Sequence, residues 1–167
     1  MKLHLSIPLA VAFATVLGAC SPEFNWRDYR AADAPYSVMF PGKPATHTRT
    51  VTLDGRQAAM TMTAAEVDGT MFAVGTAELA DAAQAEHAAR SMQAAMVRNI
   101  AGKVSKETAQ AGGVELEAHG ANNGRPMQLH GRFLSRGKRA YQVVVIGPDQ
   151  AVDAENIDTF MRSFKLN

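Results

Sequence analysis

Apolar and polar residues alternate with a period of two through most of this chain, and in two places the period lengthens to that of a helix. The stretch from Phe24 to Tyr36 sets Trp26, Tyr29 and Tyr36 among charges and suits either a short tether or a first edge strand, the strand reading starting from about Asn25. Tyr36-Ser37-Val38-Met39-Phe40 alternates cleanly and stops at Pro41-Gly42-Lys43-Pro44, where prolines cannot continue a ladder. The runs 48–53 and 57–67 flank Asp54-Gly55, a strong hairpin signal, and a second such pair, Asp68-Gly69, turns the chain into 70–79. Closing the first turn places Val51 and Leu53 on one face with Ala58, Met60 and Met62, and the threonines 48, 50, 52, 61 and 63 on the other.

The period then changes. Asp81 followed by Gln84 reads as a capping box, and Ala85, Ala88, Ala89, Met92, Ala95, Met96 and Ile100 recur at helical spacing over 82–101, up to Gly102. Four more strands are predicted at 103–110, 114–121, 125–135 and 139–147, with turns at Gly112-Gly113, Asn123-Gly124 and near Gly137. A two-residue loop at Asn123-Gly124 pairs Val114 with Phe133, Leu116 with Gly131, Ala118 with Leu129 and Gly120 with Met127. That face is apolar or small. The other face pairs Glu115 with Arg132, Glu117 with His130 and His119 with Gln128. Val152, Ile157, Phe160, Met161 and Phe164 mark a second helix from about Ala151 to Ser163.

Hairpins interrupted by one long central helix and closed by a C-terminal one predict an α+β fold, an antiparallel β-sheet with both helices packed on it. The phrase Tyr36-Ser-Val-Met-Phe-Pro-Gly-Lys-Pro44, the hairpins around a long helix, and the closing Phe160-Met-Arg-Ser-Phe-Lys-Leu166 together resemble the PsbP and DcrB group of small bacterial envelope proteins. The resemblance implies an α/β/α sandwich and export. It implies no particular activity, because a fold of this kind hosts unrelated roles.

Length and composition narrow the picture further. The chain has 167 residues, so a part beginning at Cys20 keeps about the size of one domain. Lys2 is the one charged residue before Cys20, so from there on the 17 basic residues fall to 16 and balance the 16 acidic ones. Zero net charge argues against nucleic acid as a partner and against a polybasic hold on anionic lipid.

The first residues carry a targeting pattern. Met1-Lys2 is a short positive start, 5–17 is an apolar run too short to span a bilayer, and Leu17-Gly18-Ala19-Cys20 resembles the lipobox of bacterial lipoproteins. Residues 1–19 are therefore expected to be a removed signal peptide, 20–24 a lipidated tether, and 25–167 one α+β domain. Cys20 is the chain's one cysteine, so no internal disulfide competes for it. The alternative is an ordinary signal peptide with a cysteine at its edge by chance. In the resembled sorting scheme, Ser21 in place of Asp favours the outer membrane, on its periplasm-facing side.

Candidate chemistry is sparse. Neither a Gly-x-Ser-x-Gly elbow nor a phosphate-binding glycine loop is present, and no histidine pair has the i, i+4 spacing of a helical metal site. Glu117, His119 and His130 share one face of the predicted hairpin and are adequate ligand types for a divalent metal, although alternation alone also produces a solvated face of cross-strand ion pairs. Arg132, Arg136, Lys138 and Arg139 cluster as either a phosphate site or a solvated hairpin tip. Met60, Met62, Met92 and Met96 could line an apolar ligand site or simply be core. The expectation is a non-enzymatic envelope module without a cofactor, bound to the membrane through Cys20 and to a protein partner. A metal-binding protein or an apolar-ligand binder are the alternatives.

Overall fold

The computed structural model describes residues 23–167. Its strands are β1 (Arg27–Arg30), β2 (Tyr36–Phe40), β3 (Ala45–Leu53), β4 (Arg56–Val67), β5 (Thr70–Glu78), β6 (Lys103–Gln110), β7 (Gly113–Asn122), β8 (Arg125–Arg136), β9 (Arg139–Pro148) and β10 (Lys165–Leu166). The helices are α1 (Ala82–Asn99) and α2 (Ala154–Ser163). Seven strands form one antiparallel sheet in the order β3-β4-β5-β9-β8-β7-β6, and β1-β2-β10 form a second, smaller one.

Turn chemistry sets the registers. Asp54-Gly55, Asp68-Gly69 and Asn123-Gly124 all have positive φ at both positions, from 49° to 51° at the first residue and from 70° to 77° at the glycine. This is the type I′ turn, whose twist matches that of the flanking strands. The β7–β8 register is the predicted one, with Val114 opposite Phe133 and Glu117 opposite His130. In the β3–β4 hairpin Val51 stands opposite Ala58 and Thr48 opposite Thr61, so the division into an apolar and a threonine face also holds. Asp81 Oδ1 accepts from the Gln84 amide at 2.8 Å and Asp153 does the same for Asn156, which starts α1 and α2. The second helix therefore begins three residues after the predicted Ala151, and the first ends at Asn99.

Each face of the large sheet buries its own core. Ala85, Ala88, Ala89 and Met92 of α1 cover Leu116, Ala118, Leu129, Phe133 and Val144. On the opposite face, Phe72, Val74, Val143 and Val145 lie beneath Tyr36, Val38 and Phe40 of β2 and Ile157, Phe160 and Met161 of α2. Aromatic rings join these layers: Phe160 meets Phe72 edge-on at 5.4 Å, and Tyr36 meets Tyr141 at 6.4 Å. Burial raises the Tyr36 hydroxyl pKa to about 12, a hydrogen bond with Thr63 opposing the shift.

The helix-packed α/β/α sandwich expected from the sequence is not what the chain forms. It is mostly β, with 56% of the described residues in strands and 19% in helices, and only one face is roofed by a helix alone. On the other face the three-stranded sheet and α2 share the cover. The cause lies in two segments whose local pattern says nothing of their partners. β2 is cut off from β3 by Pro41 and Pro44, pairs with β1, and takes on its other side the tail residues Lys165 and Leu166. A strand's period of two is the same in whichever sheet it joins.

Candidate functional site

The described side chains singled out for chemistry occupy three places. The first is the polar face of the wing β6-β7-β8, on the same side of the sheet as α2. Arg132 donates from Nε and Nη2 to Oε2 of Glu115, at 3.0 and 2.7 Å. Lys106 donates to Glu117 at 3.2 Å. His119 Nδ1 lies 3.8 Å from Asp149, in the loop after β9. His130, opposite Glu117, is half-buried, and burial holds its pKa below the usual histidine value, with the charge of Glu117 the chief opposing influence.

Of the three candidate ligands, Glu117 is thus paired with a lysine and His119 lies beside an aspartate. Among the described residues, no three His, Cys, Asp or Glu side chains gather closely enough to hold a metal ion. What the wing displays is alternating charge across three strands, a face suited to contact with water or a polar surface.

The basic cluster is likewise divided. Arg132 is committed to Glu115, and Arg139 is paired with Glu78 and also donates to Thr76 at 3.3 Å. Arg136 and Lys138 flank the β8–β9 turn beside a shallow cleft of about 340 Å³ that also includes Tyr141 and Asn167. Met60 and Met62 of β4 meet Met92 and Met96 of α1 in one core, with Met60 and Met92 buried and Met62 and Met96 packed at its margin. Met60 and Met62 fill the space above Gly75, where a Cβ would come within 2.5 Å of either.

Two further clefts had no signature in the sequence. One, of about 430 Å³, separates α1 from the β6–β7 hairpin and includes Arg90, Gln93, Glu107 and Phe133. The other, of about 590 Å³, runs between the outer face of the small sheet and α2, with Arg30, Arg162 and Lys165 along it. Residues far apart in the chain meet there, which no local pattern announces. Cys20 lies outside the described residues.

At the chain's entry, Phe24 stacks on Trp26 at 5.8 Å and meets the edge of Phe72 at 6.2 Å, while the Asn25 amide donates to the Pro41 carbonyl at 2.9 Å. Glu23 is hydrogen-bonded to Asp68 and its pKa is raised by that bond and by the charge of Asp68. No described helix is long and apolar enough to cross a membrane. Comparisons with protein-family models, with curated proteins and with solved structures find no match, so residue roles are argued from this chain's own chemistry.

Proposed function

We propose that this chain is a lipid-anchored protein of the bacterial cell envelope and that its folded part is a non-catalytic interaction module held at the periplasmic face of the outer membrane. The observation that carries the reading is the junction Leu17-Gly18-Ala19-Cys20 behind a short apolar run, with Cys20 the only thiol in the chain. A diacylated cysteine supplies two acyl chains, and each buried methylene contributes about 0.8 kcal/mol to anchoring. Ser21 favours the outer membrane within that scheme. The position of Phe24 adds a geometric consequence. Three residues separate Cys20 from Phe24, whose side chain is docked on Phe72, a reach of at most about 14 Å, so the anchor would hold the domain against the bilayer.

Within the domain, the polar groups that could have formed a reactive constellation are paired with one another, as Glu115 with Arg132 and Glu117 with Lys106, which suits a surface for docking more than a centre for turnover. The test is mass spectrometry of the protein extracted from membranes. A mature N-terminus at Cys20 bearing acyl mass is expected, and Cys20→Ala should leave an uncleaved or unlipidated form. Wild-type protein without acyl mass would overturn the anchor. An acylated protein found in the inner membrane would overturn only the sorting argument.

A further inference from the structure

The two edges of the large sheet are built differently. At one edge, β6 is broken by a bulge between Val104 and Lys106 and carries Lys103, Lys106 and Glu107. Bulges and edge lysines are the usual devices that stop a sheet from pairing with another chain. At the other edge, β3 runs for nine residues in unbroken register with β4 and contains no proline, lysine or bulge. From Ala45 to Thr50 every residue is exposed.

The turn dictates which backbone groups that edge presents. In a two-residue hairpin the flanking pair, here Leu53 and Arg56, exchanges both hydrogen bonds, and the bonded pairs then recur at every second residue. Val51, Arg49, His47 and Ala45 therefore direct their N–H and C=O groups at β4. Those of Thr46, Thr48, Thr50 and Thr52 point away from it, at the open side. The four threonine side chains share the opposite face of the strand from Arg49, and two of them extend the sheet's hydroxyl rows, Thr46 with Thr63 at 3.0 Å and Thr48 with Thr61 at 2.9 Å.

Arg49 sets the charge of the edge. It makes no ion pair among the described residues, and His47 stands two positions along on the same face. A second copy pairing antiparallel through all four threonines would set Arg49 directly against Arg49, and like charges facing each other across strands destabilise the pairing. An acidic residue there would be attracted instead. Because Arg49 spends its backbone bonds on β4, it would occupy a non-hydrogen-bonded position toward a new strand, where facing side chains come closest.

We propose that β3 is a docking edge for an extended segment of a partner polypeptide, which adds an eighth, antiparallel strand to the sheet and carries a carboxylate opposite Arg49. This rests on the reading of the domain as an interaction module and names the class of partner. The main-chain bonds of the four threonines supply the attraction common to any strand, and Arg49 supplies the selection.

The test uses the full-length protein in detergent micelles and the capped peptide Thr-Thr-Val-Thr-Asp-Thr-Val-Thr-Thr, with a second peptide that has lysine in place of the aspartate. Amide exchange should slow at Thr46, Thr48, Thr50 and Thr52 on adding the aspartate peptide, and stay unchanged at His47, Arg49 and Val51. The lysine peptide should bind about fivefold more weakly, and Arg49→Glu should reverse that order, consistent with cross-strand charge pairs. Thr50→Pro removes an N–H from the open side and leaves the bonds to β4 in place, so it should keep the thermal transition and lose the protection. Absence of protection at the four amides, or equal binding of both peptides by the wild type, overturns the proposal. Concentration-dependent protection without peptide assigns the edge to a second copy and overturns it as well. Running Cys20→Ala in parallel separates the two readings, because loss of the anchor leaves the edge intact.

Discussion

Glu117 and His130 face each other across the β7–β8 ladder, yet the nearest charge to Glu117 is the ammonium of Lys106 on the neighbouring strand at 3.2 Å. A histidine in this position is half-buried on a polar face, with Glu117, His119, Asp158 and Glu115 as its charged neighbours. Burial outweighs the attraction of the carboxylates and lowers its proton affinity.

The sign of the pH effect follows. With the folded-state pKa below the unfolded value near 6.5, the unfolded chain takes up the proton first as pH falls. The stability that neutral His130 permits is fully present above about pH 6.5 and is lost as pH drops toward the folded-state pKa. Denaturant unfolding of the wild type and His130→Gln between about pH 7.5 and 5.5 isolates this group, since every other residue is the same in both. The variant should show the flatter profile. Parallel profiles would remove burial as the cause.

Two residues three apart on β8 should respond very differently to truncation. Phe133 is 1% exposed and packed beneath α1, so Phe133→Ala should cost about 3 to 5 kcal/mol. His130 lies on the opposite face, and His130→Ala should cost about 1 kcal/mol or less near neutral pH. Comparable losses by equilibrium unfolding would contradict the division of faces along β8.

This division was legible in the sequence because the Asn123-Gly124 turn and strict alternation leave only one register in which both faces make sense. The same reasoning placed Leu116, Leu129 and Phe133 in the core, although Val114, nearer the open end of the hairpin, is only half-buried. The small sheet was not legible. β2 and β10 are separated by 124 residues and more, and their pairing of Ser37 with Lys165 depends on where α2 delivers the chain, which Met39 and Ser163 fasten through a 2.9 Å bond. For the candidate site, residue types and spacing put Glu117 and His130 on one face correctly. They could not foresee that Asp149, in the loop after β9, would lie 3.8 Å from His119.

Glycines near the turn between β7 and β8 separate two kinds of requirement, conformational and steric. Gly124 has φ of 77° with nothing within 4 Å of a built Cβ, so only its backbone conformation demands glycine. Gly124→Ala should cost about 1 kcal/mol, and Gly124→Val more, since a β-branched residue tolerates positive φ worst. Gly120 is the reverse case. Its φ lies outside the left-handed region, but a Cβ there would sit 2.1 Å from the Ile100 carbonyl oxygen and 2.8 Å from the Gly102 Cα. That carbonyl accepts the Ala121 amide at 2.7 Å and ties the end of α1 to β7. Backbone cannot swing aside as a side chain can, so Gly120→Ala must push the helix end off the strand and give up this bond. It should cost about 2 to 4 kcal/mol, the scale of a lost buried hydrogen bond together with overpacking. Amide exchange at Ala121 reads the displacement directly, and should accelerate in Gly120→Ala while remaining at the wild-type rate in Gly124→Ala. Equal exchange in the two variants would show that α1 is not held to the sheet at this point.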